Sequence, residues 1–210
     1  MNDSARRQRE ADLVAYYDAE VRERADRPLP SDRLAQRDAF VAQLKDEGLE
    51  RVLEIGSGPG RDGEAFVAAG LTYTGVDLAP ESVNACRALG LDAHVASVLE
   101  LPFEDAAFDA GWTMSTLLHI ANEDLPAALA EIVRVLRPGS PLAIGLWGDE
   151  LVREHSWDDD RDFGPPRFFS IRTDDVLREE LAKHATIEQW TTWEVGGPMH
   201  YQWALLRTAG

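Results

Sequence analysis

The sequence of 210 residues contains a single cysteine, Cys86. One thiol cannot form an internal disulfide, which excludes a disulfide-held scaffold and favours a reducing environment. Apolar runs long enough to cross a bilayer are also missing, so no membrane-spanning segment is predicted. The charged start of the chain, MNDSARRQRE, does not have the pattern of a secretory signal. Together these absences predict a globular protein of the cytoplasm.

Basic residues are scarce, because 21 Lys and Arg stand against 38 Asp and Glu, for a net charge of -17. Such a surface repels a phosphate backbone, so a nucleic-acid partner is not expected. Histidines and acidic residues do not cluster at the spacing of metal ligands, and no metal site is predicted. The length fits one packed domain, which we expect to be a monomer or a homodimer.

The hydrophobic pattern changes along the chain. The first 48 residues have helical spacing and are interrupted by RPLP. From residue 51 onward, short strand-like runs such as RVLEI, TYTGVDL and PLAIGLW alternate with amphipathic helical segments. This alternation predicts an α/β fold with a mostly parallel sheet covered by helices on both faces. Residues 148–166 are acidic and rich in breakers, which predicts a surface loop, and GGPM between two final strands predicts an antiparallel hairpin.

A glycine-rich turn follows the first predicted strand. Gly56, Gly58 and Gly60 lie where a strand passes into a helix, the place where α/β sheets bind ligands. Glycines there either form a tight structural turn or let the backbone approach a ligand closely. Asp77 ends the next strand, 21 residues after Gly56, where a carboxylate can accept hydrogen bonds from both hydroxyls of a ribose. A nucleoside ligand is the simplest interpretation.

Two residues at the turn indicate which nucleoside is bound. A dinucleotide fingerprint needs a third glycine at position 61, where this chain has Arg61. Glu54 precedes the turn by two residues and would repel a pyrophosphate but help to hold an amino group. The pattern therefore disfavours an NAD-dependent dehydrogenase and favours a ligand with a cationic amino end.

LEIGSGPG and GVDLAPESV resemble the first two motifs of class I S-adenosylmethionine-dependent methyltransferases. LPFEDAAFDAGW and EIVRVLRPGSPLAI resemble later motifs of the branch that includes ubiquinone/menaquinone methyltransferases, so the resemblance covers roughly residues 51–147. It implies a Rossmann-like sheet of seven strands with the antiparallel last strand between the fifth and sixth. It also implies a helical lid at residues 1–48 before a methyltransferase domain at 49–210, within one domain overall.

The resemblance implies a cofactor, S-adenosyl-L-methionine, which leaves as S-adenosyl-L-homocysteine, and a small-molecule methyl acceptor. Ser97 stands where the family often has an aspartate that meets the adenine amino group. The residues implied to hold the cofactor are Tyr17, Glu54, Gly56, Gly58, Gly60, Asp77, Leu78, Ser97, Val98 and Thr113.

Fewer residues are predicted to contact the methyl acceptor than the cofactor. His119 follows the fourth strand of the domain, near the methyl group in this architecture, and would act as a general base if the acceptor must lose a proton. A histidine packed at a strand–helix junction is the alternative interpretation. Aromatic walls favour a sulfonium and can stack a planar acceptor. Trp147 and Trp157 are the predicted walls, and Tyr16 is a further acceptor contact.

Three functional classes remain open on the sequence. The favoured one is a small-molecule methyltransferase with an oxygen or nitrogen acceptor and direct in-line transfer. A peptide, protein or RNA methyltransferase would share the same core. A nucleoside-binding module without transfer activity is the third.

Overall fold

The computed structural model describes residues 3–158, 161–197 and 199–210. Two helices come first, α1 (Asp3–Asp26) and α2 (Ser31–Asp46). Phe40 and Leu44 of α2 are buried against the main sheet, whereas α1 lies across the edge where the strands end. The lid predicted for residues 1–48 therefore has only α1 in a covering position, because α2 belongs to the core.

Strands and helices alternate through the next hundred residues, as the pattern predicted. The elements in chain order are β1 (Arg51–Ile55), α3 (Arg61–Ala68), β2 (Thr72–Asp77), α4 (Pro80–Ala88), β3 (Ala93–Val95), β4 (Ala110–Met114), a 3-10 turn (Leu117–His119), α5 (Leu125–Val135) and β5 (Pro141–Gly148). The parallel strands are short and buried, as expected for a sheet covered on both faces.

The segment after β5 differs from the prediction. It contains two strands, β6 (Arg153–Trp157) and β7 (Arg167–Ile171), which pair with each other antiparallel outside the main sheet. Every residue of β6 is exposed, so the strand carries no alternating apolar pattern that could reveal it. The prediction of a loop over 148–166 was therefore wrong for β6.

The chain ends with α6 (Asp174–Ala182), β8 (Ala185–Glu194) and β9 (His200–Thr208). The seven strands of the main sheet lie in the order β3-β2-β1-β4-β5-β9-β8. Strand β9 runs antiparallel between β5 and β8, which confirms the predicted Rossmann-like sheet with its inserted last strand. Because β1 to β5 are parallel, their carboxyl ends meet at one edge of the sheet.

The core has one apolar cluster on each face of the sheet. Leu53 and Ile55 of β1 pack on the face covered by α5, whereas Val52 packs on the face covered by α2 and α3. This division follows from the alternation of side chains along a strand. Among the described residues, no helix has the length and apolar character needed to cross a membrane.

Candidate active site

A cavity that is partly open to solvent lies at the carboxyl ends of β1, β2 and β4, beneath α1. This is where ligands bind in open α/β sheets. The sheet side contributes Ile55, Gly56, Gly58, Val76, Asp77, Leu78, Ser82, Ala96, Ser97, Val98, Leu99, Met114, Ser115, Thr116, His119, Ile120, Ala121 and Asp124. Helix α1 contributes Arg6, Arg9, Glu10, Leu13, Tyr17 and Arg24.

The glycine turn brings backbone to the cavity wall at two positions. Gly56 and Gly58 both line the cavity and have positive φ angles of 76° and 52°. A methyl group on Gly56 would lie 1.8 Å from Oγ1 of Thr116, which is an impossible overlap. That hydroxyl donates a hydrogen bond to the carbonyl of Ile55 at 3.2 Å, so it has little freedom to retreat. Gly56 is required by the close approach of the segment after β4.

Gly60 differs from the other two glycines of the turn in its position. It is the left-handed residue before α3 and is not among the residues that line the cavity. A methyl group there would lie 2.7 Å from Cδ1 of Leu91 and 3.1 Å from Sγ of Cys86. Gly60 therefore allows α3 to pack against α4, and its contact with the cofactor stays a prediction.

Asp77 lies in the cavity wall beside the glycine turn. Its carboxylate accepts hydrogen bonds from the backbone N–H groups of Gly58 at 2.8 Å and Ala79 at 2.9 Å. Burial raises the pKa of this carboxyl, while the two backbone hydrogen bonds oppose the rise. Carboxylate oxygens have about four lone-pair sites in total, so two remain for hydroxyl hydrogens. Asp77 thus holds the turn and keeps capacity for a ligand.

The adjoining wall combines apolar and polar contacts. Leu78 and Val98 line the cavity, and Val98 is buried. The hydroxyl of Ser97 donates to Glu10 of α1 at 2.8 Å and accepts the N–H of Leu99 at 3.3 Å. Ser97 thus lines the cavity, and its hydroxyl is hydrogen-bonded to Glu10 of α1.

Glu54 is not among the cavity-lining residues. Its side chain points into the sheet face covered by α2 and α3, where it accepts the hydroxyl hydrogen of Tyr73 at 2.7 Å. Burial raises the pKa of the Glu54 carboxyl well above its usual range, and the charge of Asp62 adds to the rise. A direct side-chain contact with a ligand would need Glu54 to leave Tyr73, so the implied approach to an amino group through backbone or water stays a prediction.

Thr113 is also absent from the cavity lining, although its three successors line it. Its side chain is buried, and in the part of the chain that the structure describes its Oγ1 has no hydrogen-bond partner. Ser115, with φ of 57°, turns the chain just after β4 and shares a hydrogen bond of 3.1 Å with the hydroxyl of Tyr201. The end of β4 therefore presents Met114 to Thr116 to the cavity in place of Thr113.

His119 lies in the cavity wall between α1 and β7. Its Nδ1 is 2.7 Å from the carbonyl oxygen of Phe168, and its Nε2 is 2.6 Å from the hydroxyl of Tyr17. A carbonyl can only accept, so Nδ1 carries the hydrogen and Nε2 accepts the hydroxyl hydrogen of Tyr17 in the neutral ring. Burial lowers the pKa of His119 to about 3, with added repulsion from Arg167 and Arg24. The imidazole is therefore neutral over the physiological range.

The buried neutral imidazole predicts a loss of stability in acid. Its pKa is about 3 when folded against 6.5 for an ordinary histidine, so below pH 6.5 the unfolded chain binds a proton that the folded chain does not. This histidine should then cost about 1 kcal/mol of unfolding free energy between pH 6.5 and about 5.5. Urea unfolding of the wild type and His119→Gln at both pH values measures the difference. Equal pH slopes for the two proteins would contradict the neutral buried ring.

The other predicted acceptor contacts lie outside the cavity wall. Tyr16 is buried with its ring 4.1 Å from the guanidinium carbon of Arg167. The rings of Trp147 and Trp157 lie 6.3 Å and 5.9 Å from Phe169, on the β6–β7 side. These three residues do not line the cavity, and their contact with an acceptor stays a prediction.

Helix α1 supplies the contacts that the sequence reasoning missed. Arg9 forms an ion pair of 3.1 Å with Asp124 and lies 5.0 Å from the ring of Phe168. The carboxylate of Asp18 accepts the N–H of Glu81 at 2.8 Å. A signal for the cavity face did exist in the sequence, since its members recur at helical spacing: Arg6, Glu10, Leu13, Tyr17 and Arg24.

Among the described residues, no group of three or more His, Cys, Asp or Glu side chains could hold a metal ion. The cavity instead combines a glycine turn, a carboxylate on the next strand and a neutral histidine. The sheet order and this wall define a Rossmann-like α/β protein with a cavity at the carboxyl ends of its parallel strands.

Comparison with known proteins narrows this class. Residues 53–144 match the family model described as a methyltransferase domain. An O-methyltransferase of Aspergillus sclerotiorum is 32% identical over 112 residues, which are 49% of this chain and 42% of that protein. A ubiquinone biosynthesis O-methyltransferase of Xanthomonas oryzae is 36% identical over 110 residues, 49% and 45% of the two chains. Residues 53–144 are thus similar to a methyltransferase domain, which supports an enzyme, and each match spans less than half of the relative's length.

Solved structures agree on the fold. The 1,6-didemethyltoxoflavin-N1-methyltransferase of Burkholderia thailandensis, solved with 1,6-didemethyltoxoflavin and S-adenosylhomocysteine, matches with a TM-score of 0.64 at 24% identity. The match covers 88% of this chain and 93% of that one. At this identity the likeness shows the shared fold. The ubiquinone branch is one of several groups represented among the relatives.

Proposed function

We propose that this protein is an S-adenosylmethionine-dependent methyltransferase that moves a methyl group to a small-molecule acceptor by direct in-line transfer. The observation that carries the proposal is one cavity that joins Gly56, Gly58 and Asp77 to the neutral His119 beneath α1. The methyltransferase domain match over 53–144 includes the sheet side of this cavity.

Several cavity residues have a defined role in the proposed complex with the cofactor. Asp77 binds the ribose hydroxyls through its unused lone pairs, and Leu78 and Val98 pack on the adenine. Gly56 and Gly58 lie along the methionine part, next to Arg24. When bound, S-adenosylmethionine supplies an electrophilic methyl group on a sulfonium. Enclosure beneath α1 excludes water from the reacting groups.

His119 determines what kind of acceptor group can bind at its Nε2. Because Nδ1–H is committed to the carbonyl of Phe168, the neutral ring offers only an acceptor at Nε2. A group bound there must take the place of the Tyr17 hydroxyl and donate a hydrogen, which a hydroxyl or an N–H does and a carboxylate does not. The relatives named as O-methyltransferases favour oxygen. We propose a hydroxyl acceptor whose proton would pass to Nε2 while its oxygen takes the methyl group, the methyl–sulfur bond breaks and S-adenosylhomocysteine leaves.

The low pKa of about 3 limits the strength of His119 as a base but keeps it unprotonated. Its main contribution is therefore to orient the acceptor oxygen, since methyl transfer from a sulfonium depends chiefly on alignment. An RNA acceptor is disfavoured by the net charge of -17, and a peptide acceptor is the remaining alternative.

Two measurements test the function. Calorimetric titration with S-adenosylhomocysteine and with NAD should show binding of the first and none of the second. Transfer of radiolabel from S-adenosylmethionine should then be screened on matched pairs of small molecules that differ only in hydroxyl or carboxylate. Label on hydroxyl members supports the proposal. Binding of NAD alone would overturn it, and transfer confined to carboxylates would remove the role given to His119.

Helix α1 should behave as a lid if its contacts with the cavity wall depend on a filled cavity. Four residues of α1 make polar contacts across the wall: Arg9, Glu10, Tyr17 and Asp18. Amide hydrogens of α1 should exchange quickly in the free protein and slowly with S-adenosylhomocysteine, as hydrogen exchange with mass spectrometry would show. Those of α5, buried in the core, should not change. Equal protection of α1 in both states would make it a static part of the fold.

A further inference from the structure

Arg172, just after β7, has a fully buried side chain. Its guanidinium donates three hydrogen bonds to one short segment, residues 117–122. Nη1 donates to the carbonyl of Leu117 at 3.1 Å, Nη2 to the carbonyl of Ile120 at 2.6 Å, and Nε to Oδ1 of Asn122 at 2.8 Å. These acceptors stand on both sides of His119 along the chain.

The partners of Arg172 are unusual for a buried charge. Within the part of the chain that the structure describes, no carboxylate forms an ion pair with it, and Glu154 and Glu180 act only at longer range. Burial lowers the pKa of the guanidinium to about 10, a sign of the cost of placing the charge there. Removing a charge from water costs stability unless strong contacts offset it. An ion pair therefore does not explain why a guanidinium fills this place.

The geometry of the guanidinium does explain it. Its donors are held in a rigid planar fork, so one side chain fixes the relative positions of several acceptors. The carbonyl of Leu117 and the carbonyl of Ile120 lie at the two ends of the 3-10 turn that carries His119. An ammonium or an apolar side chain of similar length cannot hold both carbonyls and the Asn122 amide in the same plane.

The same strand also holds the imidazole ring itself. Phe168 of β7 accepts the Nδ1–H of His119 through its backbone carbonyl at 2.7 Å. Strand β7 thus contacts the ring through Phe168, and Arg172, just after the strand, holds the backbone of the turn. Asn122 is tied to the hairpin as well, because its N–H and the Ser170 hydroxyl both donate to Glu154. Two independent attachments determine where Nε2 points.

We propose that Arg172 is a positioning residue for His119, whose fork on the 117–122 segment directs Nε2 into the cavity toward the acceptor. This inference rests on the proposed function for its purpose, but the positioning itself can be measured without an acceptor. The side chain touches neither the cofactor site nor the reacting atoms. It acts through the turn.

The test follows the His119 ring by nuclear magnetic resonance in protein labelled with ¹⁵N-histidine. In the wild type, Nδ1 should give a protonated signal and Nε2 an unprotonated one down to about pH 5, since Tyr17, Arg24 and Arg167 face the ring and it is buried. In Arg172→Met the 117–122 segment loses its three hydrogen bonds to the guanidinium, and the His119 ring becomes more exposed to water. Its titration midpoint should then rise by about one pH unit or more toward 6.5. Arg172→Lys should raise the titration midpoint by the same amount, because lysine keeps the positive charge but lacks the planar fork of donors.

Matched controls separate positioning from general damage. Arg178→Met removes an exposed guanidinium from α6 and should leave the His119 signals unchanged. If Arg172→Met does not fold, Asn122→Ala decides, since it removes one partner of the fork and should shift the same signals less. Folded variants with wild-type His119 signals would overturn the proposal. Failure of the wild type to bind S-adenosylhomocysteine would instead overturn the proposed function and leave the positioning role standing.

Discussion

Asp77→Ala should weaken S-adenosylhomocysteine binding by at least about tenfold. In the proposed complex its carboxylate accepts hydrogen bonds from two ribose hydroxyls, and each hydrogen bond to a charged group contributes about 1.5–3 kcal/mol. A second loss adds to this, because the same carboxylate accepts the N–H groups of Gly58 and Ala79 and so holds the glycine turn. Affinity measured by calorimetry is the readout.

Two variants make the Asp77 result interpretable. Asp92→Ala removes an exposed aspartate from the segment before β3 and should bind like the wild type. Asp77→Asn keeps an oxygen that can accept, so its affinity should fall between those of the wild type and the alanine variant. Thermal unfolding reports whether the turn itself has been lost. Unchanged affinity in a folded Asp77→Ala protein would remove the nucleoside assignment of the cavity.

Much of the fold was predictable because it follows from hydrophobic periodicity. Buried parallel strands are short apolar runs, and the helices between them show their spacing directly. The resemblance to methyltransferase motifs supplied the position of the antiparallel last strand, which the register of β9 confirms. The exception is the β6–β7 hairpin. All five residues of β6 are exposed, so its pairing with β7 is a tertiary event without a sequence pattern.

The site was predictable where it depends on backbone position. Gly56, Gly58 and Asp77 end neighbouring strands, and the parallel sheet brings such ends together. Side-chain direction was harder to predict. Glu54 is one residue before the end of β1, and the alternation of the strand turns it to the face opposite Ile55. The residues placed elsewhere than in the cavity wall are Tyr16, Glu54, Gly60, Thr113, Trp147 and Trp157.

The electrostatic state of His119 could not be inferred from the sequence. An isolated histidine suggests an ionisation near neutrality, which a general base would show in the pH profile of the rate. Burial between α1 and β7 removes that ionisation, since the pKa falls to about 3. Besides burial, the charges of Arg167 in β7 and Arg24 in α1 lower this pKa, and both residues are distant from His119 along the chain.

His119→Ala should lower turnover by about a hundredfold or more once a hydroxyl acceptor is found, because the acceptor oxygen would lose the group that orients it and takes its proton. Affinity for S-adenosylhomocysteine should change little, because the imidazole would contact the acceptor. The pH profile of the wild type should show no ionisation of His119 near neutrality, since the ring stays neutral above pH about 3. Steady-state kinetics of both proteins from pH 6 to about 9 measures these effects.

Two further variants decide what a slow His119→Ala variant means. His155→Ala removes an exposed histidine of β6 and should keep the wild-type rate. His119→Gln can donate to Phe168 and accept a hydrogen bond, yet it cannot take a proton, so its rate separates orientation from proton transfer. If the glutamine variant recovers most of the turnover, Nε2 orients the acceptor oxygen. If it remains as slow as alanine, Nε2 takes the proton. A variant with an unchanged rate and an altered acceptor KM would make His119 a wall of the pocket, because positioning by the rest of the cavity would then suffice.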